Sequence, residues 1–139
     1  MENYRVTASI TYEAAQNAVR VAIDEAARTG IAVVVTVVDP TMVPVAFGRA
    51  DGATPHSVET SRRKANTAAS TRRRTGWMQD SFAVELPLGT GGLLTNIRGG
   101  SPLKFGGTLV GGIGVAGGTP DQDAAIAAAT LAAIGADAD

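Results

Sequence analysis

Twelve of the 17 glycines in this chain lie between Gly89 and Gly118. Glycine costs backbone entropy inside regular elements, so such a density marks loops, tight turns and strands that another element must approach closely. Alanine is as prominent, with 25 residues in 139. Aromatic residues make up only 4%, so Val, Ile and Leu must fill the core. A chain of this length buries roughly two-thirds of its unfolded surface and holds one core without staples, so residues 1–139 are expected to form a single domain.

Pattern and turn chemistry give the element order. Residues 4–10 alternate polar and apolar as a short edge strand does. Thr11 is a helix cap, and Ala15, Ala18, Val19, Ala22, Ile23 and Ala26 then recur at helical spacing, with Gly30 closing a helix of about 12–29. Residues 31–38 form a continuous, mostly β-branched run, the signature of a central strand covered on both faces. Asp39-Pro40-Thr41-Met42 is a turn, and residues 43–47 return as the second arm of a hairpin, with Pro44 at an edge or bulge. Thr54-Pro55 opens a helix predicted to reach Thr75, with Val58, Ser61, Ala65, Ala68 and Ala69 facing inward and Gly76 ending it. Residues 77–107 defeat every pattern, with short strands near 82–86 or 93–97 as options. Residues 108–115 form a strand. Thr119-Pro120-Asp121-Gln122 is a capping box that opens a last helix of about 120–135, read as nearly all alanine on its buried side. Strands joined by a hairpin point to an α+β fold, a mostly antiparallel sheet with helices packed on it.

Composition excludes several functions. The absence of cysteine removes disulfides, zinc-thiolate sites, iron–sulfur clusters and thiol nucleophiles. A net charge of −1 provides no field to recruit nucleic acid or a membrane surface. No apolar run is long enough to span a bilayer, and the first residues lack the pattern of a secretory leader, which makes the cytoplasm the expected compartment. Gly112-Ile113-Gly114-Val115-Ala116-Gly117 matches a dinucleotide fingerprint in letters only: its first glycines sit inside a strand, and no following strand supplies a ribose-binding acid.

The helix predicted at 55–75 is the chemically richest element. His56, Thr60, Lys64, Thr67 and Thr71 fall on one helical face. Arg62, Arg63, Lys64, Arg72, Arg73 and Arg74 are half of all the basic residues, opposed inside the helix only by Glu59. A charge run of this kind is usually a solvated face. Its local field otherwise suits a small anion or an acidic patch on a second subunit. His56 is the only histidine and the one side chain suited both to ligate iron and to move a proton. The acids Asp121, Asp123, Asp137 and Asp139 gather at the far end of the chain, which contains no basic residue after Lys104. Complementary patches of this sort can pair subunits, so a homo-oligomer is expected.

Several short motifs recur in a fixed order: Val37-Val38-Asp39 before a hairpin, Arg49-x-Asp51-Gly52-Ala53, Lys64-Ala65-x-Thr67-Ala68 followed by Thr75, Gly99-Gly100-Ser101-Pro102, and Gly111–Gly117 with Asp121 and Asp123 after it. In these the chain resembles the GlcG/HbpS family, which includes the carboxy-terminal domain of PduO-type proteins, over residues 10–135. The resemblance implies a profilin-like sandwich and oligomers, often octamers. It also implies a link, in some members, to haem binding, haem breakdown or corrinoid metabolism.

Three functional expectations follow, of which the third is a non-catalytic structural or scaffold oligomer. The first is an oligomer that binds haem or a related tetrapyrrole or anionic ligand between the 55–75 helix and the 99–102 loop. Arg49, Lys64, Thr67, Gly99, Gly100 and Ser101 would hold the ligand, with the glycine amides facing the anion and His56 or Met78 ligating iron. The second is an enzyme without cofactor, an isomerase, lyase or hydrolase acting on a small carboxylate, with His56, Glu59 and Lys64 as its catalytic groups.

Overall fold

The computed structural model describes all 139 residues. Its elements run α1 (Tyr12–Arg28), β1 (Val34–Val38), β2 (Pro44–Arg49), α2 (Ser57–Thr71), α3 (Phe82–Gly89), β3 (Gly100–Phe105), β4 (Thr108–Ala116) and α4 (Pro120–Ile134). The four strands form one antiparallel sheet in the order β2-β1-β4-β3. The α+β class and the antiparallel sheet are as the sequence predicts.

Side-chain alternation divides the sheet into two unlike faces. One face carries Val35, Val37, Ile113, Val115 and Leu103 and packs against α1 and α4 in the main core, with Ala18, Val19, Ala22, Ile126 and Leu131. The other face carries Thr36, Val38, Gly112 and Gly114 and is covered by α2, whose contribution is small: Val38, Ala65 and Ala69 make its only apolar cluster. The Thr36 and Ser61 hydroxyls hydrogen-bond there at 2.8 Å, fully buried. Every residue of β1 is buried, as expected of a strand covered on both faces.

The glycines of β4 explain how α2 sits so low. A Cβ at Gly114 would land on the Ser61 carbonyl and lie 2.6 Å from the Ala65 amide; one at Gly112 would meet the Ala65 carbonyl and lie 2.8 Å from the Ala69 amide. These are backbone atoms, which cannot swing aside. The G-x-G-x-x-G string is therefore a helix-packing surface.

Several sequence expectations are corrected. Residues 4–10 form no strand. They run along the surface, with Tyr4 and Val6 exposed, and only the Ile10 amide is anchored, donating to the Val110 carbonyl at 2.9 Å. The predicted 55–75 helix is shorter at both ends. Thr54 does not cap it but pairs its hydroxyl with Ser57, and the helix stops at Arg72, which takes a left-handed conformation at φ 60° four residues before Gly76. Residues 82–89 are helical with Pro87 inside, and 93–97 are irregular. The 99–102 segment expected as a loop is mostly strand, because Gly100 to Phe105 pair with β4. In α4 the capping box is present, but the buried residues are Asp123, Ile126, Ala127, Thr130 and Leu131. Most of its alanines face outward.

Replacing Gly114 with alanine should destabilise the fold by about 2–3 kcal/mol or more, since the overpacking cannot be relieved by a rotamer change. Chemical denaturation of Gly114→Ala against wild type measures this. Gly89→Ala, where nothing lies within 4 Å of the added carbon, should change stability by no more than about 0.5 kcal/mol.

Candidate functional site

The Lys64-Ala65-x-Thr67-Ala68 run lies in the middle of α2, against the glycines of β4. Because the helix is so close, the Lys64 stem cannot reach solvent, and its side chain is 1% exposed. Its amine donates to the Val115 carbonyl at 2.8 Å and to Asp123 Oδ2 at 2.9 Å. Asp123 Oδ1 accepts from the Gly118 amide at 2.9 Å. Burial pushes the Lys64 amine below its usual range, while the hydrogen bond and charge of Asp123 push it back up. One ion pair thus joins α2, β4 and α4. Gly99 is part of the same arrangement: a Cβ there would sit 2.8 Å from Lys64 Nζ and 2.9 Å from Asp123 Cβ.

This pair separates two recesses. The smaller, about 330 Å³, lies at the amino end of α2 and is lined by His56, Thr60, Lys64, Gly117, Gly118 and Asp123, among others. The larger, about 640 Å³, opens where the chain leaves α2. Arg72, Arg73, Arg74 and Arg98 stand around it, with Thr75, Trp77, Gly99, Gly100, Ser101 and Asp139. The outward alanines of α4, Ala124, Ala128 and Ala132, form its apolar wall with Leu131. Thr75 fastens the 72–76 turn to β3: its amide donates to the Gly100 carbonyl at 3.0 Å, and its hydroxyl accepts from the Gly100 amide at 2.9 Å. The Arg73 guanidinium lies over the Trp77 ring, 4.5 Å from its centre. The Trp77 indole N–H is buried without a partner.

The residues singled out from the sequence are therefore distributed as follows. His56 is exposed and shares the small recess with Lys64. Glu59 is on the surface, where Arg62 at 2.6 Å and Arg63 at 3.6 Å engage its carboxylate; the Arg62 hydrogen bond holds it below the usual carboxylate range. Thr67 is buried and ties the 93–97 segment to α2, accepting from the Thr95 amide at 2.8 Å and donating to the Arg63 carbonyl at 2.7 Å. Arg49 ends β2, on the sheet edge opposite β3. Gly99, Gly100 and Ser101 line the large cavity, but the Gly100 amide is already spent on Thr75. Met78 is buried and does not line the cavity. The acids expected to meet a second subunit have partners within the chain: Asp123 has Lys64, Asp121 has Arg98, Asp139 has Arg74, and Asp137 accepts from the Gly106 and Gly107 amides.

Sequence patterns alone do not reveal the wall of α4 or the place of Trp77. A signal exists in the adjacency of Arg72-Arg73-Arg74 to the only tryptophan, but an arginine run by itself reads as a solvated face.

Comparison with known proteins decides the family. The family described as "Haem degrading protein HbpS-like" matches residues 10–132. This chain belongs to the HbpS-like family. Among solved structures, Klebsiella pneumoniae ORFY, a DUF336 protein, superposes with a TM-score of 0.88 at 28% identity, covering 96% of each chain. Streptomyces reticuli HbpS, solved as a double mutant, gives 0.84 at 34% identity over 95% of this chain and 91% of that one. A PduOC structure solved as a haem complex gives 0.85 at 28% identity over 94% and 98%. No curated protein sequence matches. No helix is long and apolar enough to cross a membrane.

Removing one partner of the Lys64–Asp123 pair leaves a buried charge uncompensated, which costs about 3–5 kcal/mol. Lys64→Met and Asp123→Leu should each unfold at much lower denaturant. The double variant, with no buried charge left, should recover at least half of the loss. An additive double variant would mean that the two side chains do not act as a pair.

Proposed function

We propose that this HbpS-like protein binds haem or a closely related tetrapyrrole dicarboxylate in the arginine-lined cavity. The observation that carries this reading is the cavity's composition. A flat wall of alanines and Leu131 faces a rim on which Arg72 and Arg73 have no carboxylate partner, unlike Arg74 and Arg98. Its volume of about 640 Å³ falls in the range of sites that enclose a cofactor-sized ligand. Arginine is suited to carboxylates because its planar fork makes two parallel charge-assisted bonds. The haem complex of the PduOC relative supports the same ligand class.

The fit to haem is therefore good at the ring face and the propionates. Arg72 and Arg73 would hold the carboxylates, Ala124, Ala128 and Ala132 would lie against the ring, and the wall would exclude water from one side of it. When bound, haem supplies an iron centre for ligand binding and electron exchange. The position of Gly100 and Thr75 keeps the rim rigid, because their reciprocal hydrogen bonds fix the turn that carries the arginines. Binding of this kind suits a homo-oligomer, in which a second copy closes the open side; light scattering that returns a 14 kDa monomer at micromolar concentration would contradict the oligomer.

A second reading rests on the small recess, which His56, Lys64 and Asp123 line. A small carboxylate there would make this an enzyme without cofactor, with His56 moving a proton.

Titration with haem should give a saturable absorbance change near one equivalent per chain. Losing a charge-assisted bond of roughly 1.5–3 kcal/mol lowers affinity on the order of ten- to a hundredfold, so R72Q/R73Q should bind haem at least about tenfold more weakly. His56→Ala should leave haem affinity within about twofold of wild type. If His56→Ala abolishes haem binding and R72Q/R73Q does not alter it, the cavity is wrongly placed and the small recess is the site.

A further inference from the structure

We infer that the cavity selects its ligand by carboxylates and ring face and takes the metal-free tetrapyrrole as readily as haem. The inference rests on the proposed haem-class reading and defines the ligand class more narrowly. It follows from what the cavity wall lacks and from what its oxygen atoms already do.

Protein side chains that hold haem iron are chiefly His, Cys, Met and Tyr. None of them lines the large cavity. The only histidine, His56, opens into the other recess, and the buried Lys64–Asp123 pair with Gly99 stands between. Met78 is buried, and its backbone is fixed on both sides by Asn96, which accepts from the Met78 amide at 2.9 Å and donates to the Met78 carbonyl at 3.1 Å. Of the oxygen donors that line the cavity, Thr75 and Asp139 are engaged. Thr75 Oγ1 accepts from the Gly100 amide. Asp139 is paired with Arg74. The groups left free are complementary to the ligand's periphery: two guanidinium groups without a carboxylate partner and an alanine wall. Binding energy in such a site comes from the carboxylates and the buried ring, and both are the same in haem and in the free ring.

Trp77 is the only tryptophan and lines the cavity, so its fluorescence reports occupancy without any activity assay. The full chain in its native assembly should be titrated with haem, with protoporphyrin IX and with protoporphyrin IX dimethyl ester. Trp77 quenching and porphyrin absorbance are followed together. The inference expects haem and protoporphyrin IX to bind within about fivefold of each other and the ester at least about tenfold more weakly than the free acid. R72Q/R73Q should weaken haem and protoporphyrin IX by the same factor. Haem that binds while protoporphyrin IX binds more than fivefold more weakly overturns the inference and leaves the proposed function standing. Binding of neither overturns both.

Discussion

The structure depends on the backbone contact between α2 and β4. Gly112 and Gly114 remove the side chains that would hold a helix at an ordinary distance from a sheet, and the helix drops until its carbonyls and amides meet the strand. From that depth a lysine stem no longer reaches water, although lysine is ordinarily long enough to extend its amine past apolar neighbours into solvent. Lys64 must then be satisfied in place. The Val115 carbonyl and Asp123 do this, and Asp123 in turn holds the Gly118 amide just before the α4 cap. A steric property of two glycines in one strand thereby fixes where α4 begins, and the start of α4 fixes where its alanine face looks.

The buried pair is costly in itself, since both ions lose their hydration. Its value is specificity of position. The apolar cluster on the α2 face is only Val38, Ala65 and Ala69, too little to define one register for a helix. The main core on the opposite face, with α1 and α4, supplies most of the hydrophobic stabilisation. The two faces therefore play different parts, since one stabilises the fold and the other orients its elements. The small recess lies beside the ion pair at the start of α2, and the large cavity opens at the β3 edge of the sheet, between the turn after α2 and the outer face of α4.

The sequence made the antiparallel α+β fold, α1, the central strand, the hairpin and α4 legible, because caps, periodicity and a β-branched run all agree there. It failed where local signals conflict. Residues 4–10 alternate like a strand, yet strand pairing is a tertiary event, and only Ile10 finds a backbone partner on β4. Pro87 argues against a helix at 82–89, because it cannot donate the bond that a residue late in a helix makes to the carbonyl four positions back; the short helix forms without that bond. Arg72 ends α2 in a left-handed conformation that favours glycine, so Gly76 is a misleading stop signal. Gly100 and Pro102 hide β3 because both residue types are poor strand formers. The site was half legible. The stripe from His56 to Thr71 reads as one polar face, but Lys64 and Thr67 are polar and buried. No periodicity separates a polar residue facing water from one facing a partner 59 positions away.

The alanines of α4 show how this fold makes room without giving up order. A helix with larger outward side chains would cover the turn that carries Arg72 and Arg73. Glycine would leave space but weaken the helix by roughly 0.5–1 kcal/mol at each position. Alanine has the highest helix propensity and the smallest side chain that keeps it, so a row of alanines gives a rigid wall and an open cavity together. The arginines opposite are rigid for a different reason. Their turn is tied to β3 by the Thr75–Gly100 hydrogen bonds, and Arg73 is further restrained by the Trp77 ring. Relatives at 28–35% identity share the fold at TM-scores of 0.84–0.88. A scaffold that tolerates so much change does not dictate function. In this chain the proposed site sets two short stretches against each other, a tethered cationic turn and a helix face kept small.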